Sequence, residues 1–267
     1  MFTDLDGSLL DQETYSYENA HGALELIRKR RIPLVFTTSK TRPEIELLQA
    51  DMRILEPFIV ENGAAVFFPD GYGGLRLEAG FRRHPYHVIQ LGAAYGEIRT
   101  LFCSLKTRFK IKGFGDLNAE EIERLTGLPR KQVGLAMQRE FTEPFIIADE
   151  SNLSDLQQMA ETRGFKIVRG GRFYHLIGAN QDKGRAVDMA VSVFRSHADK
   201  KLTTIGLGDS ANDIPMLERV DIPILIPHPD GTHEDIDLPN LRKASYPGSR
   251  GWNEMMLEVL GHIQAKA

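Results

Sequence analysis

The chain has 267 residues and a formal net charge of −4, with 42% hydrophobic and 26% charged residues. This composition is typical of a soluble globular protein with one large domain or two of ordinary size. The acidic balance argues against nucleic-acid binding, and no apolar run reaches the ~18 residues of a membrane span. A single cysteine and the absence of a signal peptide before the first motif favour a cytoplasmic protein.

The first third of the chain alternates short apolar runs with segments of helical spacing. The predicted elements are strands at 2–5, 32–36, 58–60 and 66–68 and helices over 16–30 and 42–50. Continuous apolar runs such as 32–36 are typical of strands buried on both faces. Strands that alternate with helices predict a Rossmann-like parallel sheet with helices on both faces.

The middle of the chain interrupts this regular alternation after a glycine cluster at 71–74. Asn118 and Glu121 have the spacing of a helix capping pair. The predicted elements are helices over 85–103, 119–126, 130–138 and from about 152 to 163, and strands at 106–111, 143–148, 165–169 and 172–177. We interpret residues 75–177 as an inserted, smaller α/β cap domain.

The last third returns to strand–helix alternation. The predicted elements are helices over 183–196, 212–219 and 252–263 and strands at 203–207 and 222–226. Residues 1–74 and 178–267 would therefore form one discontinuous catalytic core around the inserted cap.

Charge is unevenly distributed along the chain. Residues 76–135 hold 11 Lys and Arg against 6 Asp and Glu, although the whole chain is acidic. A basic insertion suggests that the cap takes part in binding a small anionic ligand. Random scatter of surface charge is the alternative interpretation. The sequence predicts no oligomeric state.

Four aspartates lie at or just after the ends of predicted strands. Asp4 and Asp6 lie where the first strand ends, and Asp209 and Asp213 bracket the turn after the 203–207 strand. Because ligands of open parallel sheets bind outside the carboxyl ends of strands, these carboxylates are expected to meet. Oxygen ligands of this kind suit Mg²⁺ bound beside a phosphate. The alternative is that each aspartate only caps a turn or a helix.

Two further segments suit a phosphate group. Thr38, Ser39 and Lys40 follow the second strand and precede a helix, whose amino end attracts anions. Lys183 begins a helix, where the helix dipole disfavours a cation unless an anion lies nearby. An ordinary helix cap and a solvated surface lysine are the respective alternatives.

In this order, the motifs resemble those of the haloacid dehalogenase superfamily with a large α/β cap. The matching residues are Asp4-Leu5-Asp6-Gly7-Ser8, then Thr38 or Ser39, then Lys183, and finally Gly208-Asp209-Ser210-Ala211-Asn212-Asp213. Three other segments resemble the mannosyl-3-phosphoglycerate phosphatase branch. They are Thr38-Ser39-Lys40-Thr41-Arg42, Arg139-Glu140-Phe141-Thr142-Glu143-Pro144-Phe145, and Gly170-Gly171-Arg172-Phe173-Tyr174-His175 before Asp182-Lys183-Gly184.

The resemblance implies a Mg²⁺-dependent phosphatase that acts on a glycosyl-3-phosphoglycerate through an aspartyl phosphate. It implies Asp4 as nucleophile, Asp6 as general acid and base, and Thr38 and Lys183 as contacts of the phosphoryl group. The implied metal ligands are Asp4, Asp6 and Asp209, supported by Ser210, Asn212 and Asp213. The implied contacts of the anionic sugar-glycerate substrate are Ser39, Lys40, Arg139, Glu143, Arg172 and His175.

Three other functions stay open from the sequence. They are a sugar phosphatase of different specificity, a phosphomutase, and an inactive binding module, although the motif residues are intact. Mannosyl and glucosyl substrates are not distinguished. Only three residues precede Asp4, fewer than in relatives, so we expect either a truncated first strand or a start codon further upstream.

Overall fold

Two β-sheets organise the molecule in a computed structural model that describes residues 1–170, 173–198 and 201–264. The larger sheet has nine strands in the order β13-β12-β11-β1-β2-β3-β4-β6-β5. Its strands are β1 (Phe2–Thr3), β2 (Val35–Thr37), β3 (Phe58–Val60), β4 (Ala65–Pro69), β5 (Phe81–Arg83), β6 (Tyr86–Gln90), β11 (Ile205–Gly208), β12 (Ile222–Leu225) and β13 (Arg242–Lys243).

The parallel part of this sheet places β1 at its centre. Phe2 of β1 is in register with Val35 of β2 on one side and with Gly206 of β11 on the other. The chain therefore runs outward in both directions from β1, which creates a switch point at its carboxyl end. β4, β6 and β5 extend the sheet with antiparallel pairing.

Helices cover both faces of the larger sheet, as predicted. Apolar side chains of α1, α2 and α9 pack on one face around the fully buried Trp252. Those of α7 and α8 pack on the other face with Val35 and Ile59. These helices are α1 (His21–Lys29), α2 (Arg42–Met52), α7 (Lys183–Ser196), α8 (Ile214–Leu217) and α9 (Gly248–Gln264).

Local caps set the starts of the two helices beside the strand ends. Thr41 caps α2 in a reciprocal capping box with Glu44, and Pro43 occupies its first turn. The Asp182 side chain accepts a hydrogen bond from the Arg185 amide at the start of α7. Both helices therefore begin at the carboxyl edge of the sheet.

The smaller sheet is antiparallel and has the order β7-β8-β10-β9. Its strands are β7 (Ile111–Gly113), β8 (Glu143–Ile147), β9 (Phe165–Gly170) and β10 (Phe173–Gly178). The surrounding helices are α3 (Tyr95–Leu105), α4 (Ala119–Thr126), α5 (Arg130–Ala136) and α6 (Leu153–Glu161). The predicted Asn118–Glu121 capping box is confirmed at the start of α4. The predicted fold class, a Rossmann-like core with an inserted α/β cap, is confirmed.

Two predicted elements in the cap region are wrong. Residues 86–90, predicted as the start of a helix, form β6, because Tyr86 and Val88 bury their side chains in the core while pairing with β4. The helix begins only at Tyr95. The strand predicted at 106–111 begins at Ile111, because residues 106–109 make the turn that follows α3.

The division at 74/75 and 177/178 stays a prediction. β5 and β6 lie after the first boundary yet belong to the larger sheet, so we propose that the cap begins after Gln90. Within the part of the chain that the structure describes, no helix has the length and hydrophobicity needed to cross a membrane.

Candidate active site

A cavity of about 250 Å³ opens between the carboxyl edge of the larger sheet and the cap. Its core side follows β1, β2 and β11, and its cap side follows α5, β9 and β10. The predicted site residues that line it are Asp4, Asp6, Ser39, Lys40, Arg139, His175, Asp209, Ser210 and Asn212. Residues from distant parts of the sequence therefore meet in one cavity.

Lys183, the first residue of α7, is buried beside the cavity and contacts Asp4, which lines it. Its Nζ is 2.6 Å from Asp4 Oδ1 and 2.6 Å from Asp213 Oδ1, and only 1% of the residue is exposed. Burial alone would lower the pKa of Lys183, but the carboxylates of Asp213 and Asp4 outweigh it and raise the pKa. The ammonium group therefore stays charged, and it holds the Asp4 carboxylate in one orientation.

Asp4, Asp209 and Asp213 form a buried carboxylate cluster. One oxygen of each lies within 4.8 Å of the others. Burial, and then repulsion from Asp213, raise the pKa of Asp4 to about 7 despite Lys183. Burial and the charges of Asp4 and Asp213 likewise raise the pKa of Asp209. A divalent cation would offset this repulsion, so the donor set fits a hard metal ion such as Mg²⁺.

The hydrogen bonds of Asp213 indicate which carboxylates of the cluster are able to bind a metal ion and which one supports them. Its Oδ1 accepts from Lys183, and its Oδ2 accepts from the amides of Asp209 and Ser210 at 3.1 and 3.2 Å. The Ser8 hydroxyl donates to Asp209 Oδ1 at 3.1 Å. Asp213 is therefore occupied by the protein itself, whereas Asp4 and Asp209 have oxygen atoms left to bind a cation.

Asp6 is paired with Lys40 across the cavity. Lys40 Nζ lies 2.9 Å from Asp6 Oδ2, whereas Asp6 Oδ1 has no hydrogen-bond partner among the described residues. Lys40 also lies 5.2 Å from the centre of the Tyr15 ring. Asp6 therefore presents one unpaired carboxylate oxygen beside a cation.

The two hydroxyl residues after β2 have different surroundings. Thr38 is fully buried, and its Oγ1 accepts from the Lys40 amide at 3.2 Å. Ser39 lines the cavity. The catalytic role predicted for Thr38 stays a prediction, and the geometry favours Ser39 as the hydroxyl that meets a ligand.

The cap contributes a cation, a neutral histidine and aromatic rings. Arg139 lies with its guanidinium carbon 5.8 Å from the centre of the Phe114 ring, and Phe114 packs edge-on against Phe173. His175 is 5% exposed, and its Nδ1 has no partner within the described chain. Burial, and then the charges of Arg139 and Lys183, lower the pKa of His175 to about 3. His175 is therefore neutral at physiological pH.

Two predicted substrate contacts are not placed at the cavity. Glu143 is fully buried inside the cap, where its carboxylate accepts from Tyr95 at 2.5 Å, Arg99 at 2.9 Å and the Gly115 amide at 2.9 Å. These donors occupy both of its oxygens, which favours a structural role. Arg172 lies outside the described residues.

The turn at Glu61-Asn62-Gly63, for which the sequence predicts no function, lies against Asn212 of the cavity wall. Asn62 Oδ1 accepts from Asn212 Nδ2 at 3.0 Å, and the Asn62 amide donates to the Thr38 carbonyl at 2.9 Å. Gly63 has a φ of +85°, and a Cβ there would lie 2.1 Å from the Asp182 carbonyl oxygen. The signal in the sequence was a polar triplet at the end of β3.

Residues 1–227 match the family model of haloacid dehalogenase-like hydrolases. The chain therefore belongs to the haloacid dehalogenase-like hydrolases, as the motif order predicted. The match includes all four motifs, the intervening cap and every residue that lines the cavity except His228 and Pro229.

Named relatives extend over nearly the whole chain. This chain is 55% identical over 264 residues to a glucosyl-3-phosphoglycerate/mannosyl-3-phosphoglycerate phosphatase of Persephonella marina. The aligned residues cover 99% of this chain and 98% of that protein. This chain is 36% identical over 227 residues to a mannosyl-3-phosphoglycerate phosphatase of Pyrococcus furiosus, covering 85% and 90%. The prediction that this chain is a phosphatase is confirmed.

A solved structure supports the fold independently. The crystal structure of Thermoplasma acidophilum 0175 superposes with a TM-score of 0.69 at 18% identity, covering 96% of both chains. At this identity the likeness supports the arrangement of core and cap and carries no argument about specificity.

Proposed function

We propose that this protein hydrolyses the phosphate monoester of a glycosyl-3-phosphoglycerate with the help of Mg²⁺. The observation that carries the proposal is the Asp4–Lys183–Asp213 arrangement beside Asp209 at one end of a cavity whose other end is built by the cap. The 55% identical relative supports mannosyl- and glucosyl-3-phosphoglycerate as candidate substrates.

Asp4 is the proposed nucleophile. Its carboxylate oxygen forms a bond to phosphorus while the bond from phosphorus to the C3 oxygen of glycerate breaks. Asp6 donates a proton to that departing oxygen and later takes a proton from the water that attacks the aspartyl phosphate. Inorganic phosphate leaves, and both carboxyl groups return to their starting states.

Lys183 and the hydroxyl groups after β2 stabilise the transferring group. The ammonium of Lys183, already 2.6 Å from Asp4, offsets the negative charge that gathers where the nucleophile meets the phosphoryl oxygens. Ser39 donates a hydrogen bond to one of these oxygens, with Thr38 supporting the turn.

A bound Mg²⁺ would supply positive charge next to the phosphoryl oxygens. Asp4, Asp209 and the Asp6 carbonyl would hold it, while Ser210, Asn212 and Asp213 would keep these ligands in position. Because the ligand set consists of oxygens, Mg²⁺ is expected to restore activity after treatment with EDTA.

The cap residues select the rest of the substrate. Among the described residues that line the cavity, Lys40 of the core and Arg139 of the cap are the Lys and Arg side chains, and we expect them to bind the glycerate carboxylate. The neutral His175 offers an acceptor for a sugar hydroxyl, and Arg172 stays a predicted contact. Phe114 and Phe173 contribute aromatic rings to the apolar part of the wall, which Leu128, Ala136 and Pro144 also line.

Phosphate release with Mg²⁺ tests this function. The substrates are mannosyl- and glucosyl-3-phosphoglycerate, free 3-phosphoglycerate, hexose phosphates and p-nitrophenyl phosphate, and the variants are Asp4→Asn and its control Asp155→Asn on the exposed surface of α6. We expect the glycosyl-3-phosphoglycerates to give the highest kcat/KM and only Asp4→Asn to be inactive. Activity spread over hexose phosphates would contradict the proposed substrate, and transfer without free phosphate would indicate a mutase.

A further inference from the structure

One cap segment, residues 139–142, is embedded in the catalytic core. Phe141 is 5% exposed and belongs to the same apolar cluster as Phe58, Phe67 and Tyr86 of the larger sheet. This segment lies between α5 and β8, far along the chain from the connections that join the cap to the core. The cap therefore has an anchor on the core besides its two connecting segments.

The carboxylate of Glu61 is the polar centre of this anchor. Its Oε1 accepts from the Glu140 amide at 2.8 Å, and its Oε2 accepts from the Phe141 amide at 3.1 Å and from Thr142 Oγ1 at 2.7 Å. Glu61 is fully buried. A buried carboxylate is costly unless donors surround it, so Glu61 and this segment depend on each other.

The backbone at Glu61 is strained. Glu61 and Asn62 have φ values of +49° and +61°, a region that L-residues rarely occupy. Such strain persists only where the surroundings hold it, and it is concentrated at functional sites. Here the Gln181 side chain donates to the Glu61 carbonyl at 2.6 Å, and Asn62 is bonded to Thr38 and Asn212. The turn at residues 61–63 thus connects the anchor to Thr38 and to Asn212, which lines the cavity.

Arg139 directly precedes the residues docked by Glu61, and its Nη1 donates to Thr142 Oγ1 at 3.4 Å. Arg139 Nη1 donates to the Ser39 carbonyl at 2.7 Å, and Nε donates to the Ala136 carbonyl at 2.9 Å. The Arg139 guanidinium is therefore held between the segment after β2 and the end of α5, and Arg139 lines the cavity. Displacing residues 140–142 from Glu61 would move the adjacent Arg139.

We propose that Glu61 is a positioning residue for substrate selection: its carboxylate docks residues 140–142 on the core and so fixes Arg139 against the part of the substrate that is not transferred. The identity of that part rests on the proposed function. Glu61 is not among the described residues that line the cavity, so we expect it to act on the binding of large substrates more than on the chemical step.

The test compares Glu61→Gln with wild type on mannosyl-3-phosphoglycerate and on p-nitrophenyl phosphate, which has no glycerate or sugar. In glutamine an NH2 group replaces one carboxylate oxygen, and it cannot accept the hydrogen bond that this oxygen received from residues 140–142. The docking of these residues on the core is therefore weakened. We expect KM for the large substrate to rise about tenfold, with kcat and the p-nitrophenyl phosphate kcat/KM within about threefold. Glu161→Gln, exposed at the end of α6, is the matched control.

A double-mutant cycle separates positioning from general loss of structure. If Glu61 acts through Arg139, Arg139→Ala alone raises the same KM, and adding Glu61→Gln to it has little further effect. Thr142→Val, which removes one donor only, should give a smaller rise and serves where Glu61→Gln does not fold. Equal losses on both substrates, additive effects, or an unchanged KM would overturn the inference.

If the proposed function is wrong, the set of substrates hydrolysed by wild type will differ. Wild type would then hydrolyse p-nitrophenyl phosphate but no glycosyl-3-phosphoglycerate. The Glu61 comparison would be repeated on the panel substrate with the highest kcat/KM, and the same KM criterion would decide it.

Discussion

The two sides of the cavity are built differently. On the core side, Asp4, Asp209, Asp213 and Lys183 are joined directly or through one shared partner, and all are buried. On the cap side, Arg139 and His175 come from different elements, and neighbouring Glu143 is turned into the cap's interior. The groups proposed to do the chemistry are therefore concentrated at strand ends and at the start of α7, whereas the groups proposed to recognise the substrate are scattered and depend on how the cap packs.

Lys183→Met is expected to have the largest effect, because it removes the only described cation that contacts Asp4. Phosphate release should fall by at least about 1000-fold, and the free energy of unfolding should fall by about 3 kcal/mol without metal, since buried carboxylates lose their partner. Kinetic assays and urea unfolding measure both. Lys131→Met, exposed on α5, is the control, and an active Lys183→Met enzyme would place the chemistry elsewhere.

Because of His175, the free energy of unfolding should fall as the solution becomes acidic. Its pKa in the folded protein, about 3, lies below the ordinary value of about 6.5, so the unfolded chain takes up this proton first as pH falls. The stability contributed by neutral His175 is present above about pH 6.5 and is lost as pH falls towards 3. Between pH 6.5 and 4 this loss should reach about 3 kcal/mol.

Urea unfolding of wild type and His175→Gln over this pH range measures the contribution of His175. The stability of the variant should fall less steeply with acid than that of wild type. The exposed His21→Gln should follow the wild-type curve. Parallel curves for wild type and His175→Gln would show that His175 is not held neutral.

Glu143→Gln distinguishes a structural carboxylate from a substrate contact. Because Arg99, Tyr95 and the Gly115 amide all donate to it, we expect the free energy of unfolding to fall by about 2 kcal/mol. Hydrolysis of p-nitrophenyl phosphate should be unchanged. An increase in KM for the glycosyl substrate with unchanged thermal stability would instead restore Glu143 as a contact.

The order of the four motifs and the strand–helix alternation were enough to predict the core and its charged residues. Parallel strands bring their carboxyl ends to one edge, so residues that follow strands meet whatever their separation in the chain. This is why Asp4 and Asp209 could be predicted together before any contact was known. Lys183 follows β10 of the smaller sheet, and it was predicted instead from its place at the start of a helix and from the order of the motifs.

The sequence by itself therefore determined the fold class, the family and the residues at the strand ends. Only the tertiary structure decided that 86–90 is a strand, that Glu143 faces inward, and that Glu61 accepts hydrogen bonds from residues 140–142 of the cap. The physical reason is that local pattern specifies which face of an element is apolar, but not which element covers it. A buried carboxylate such as Glu61 is recognised only when its donors, 79 to 81 residues away, are seen around it.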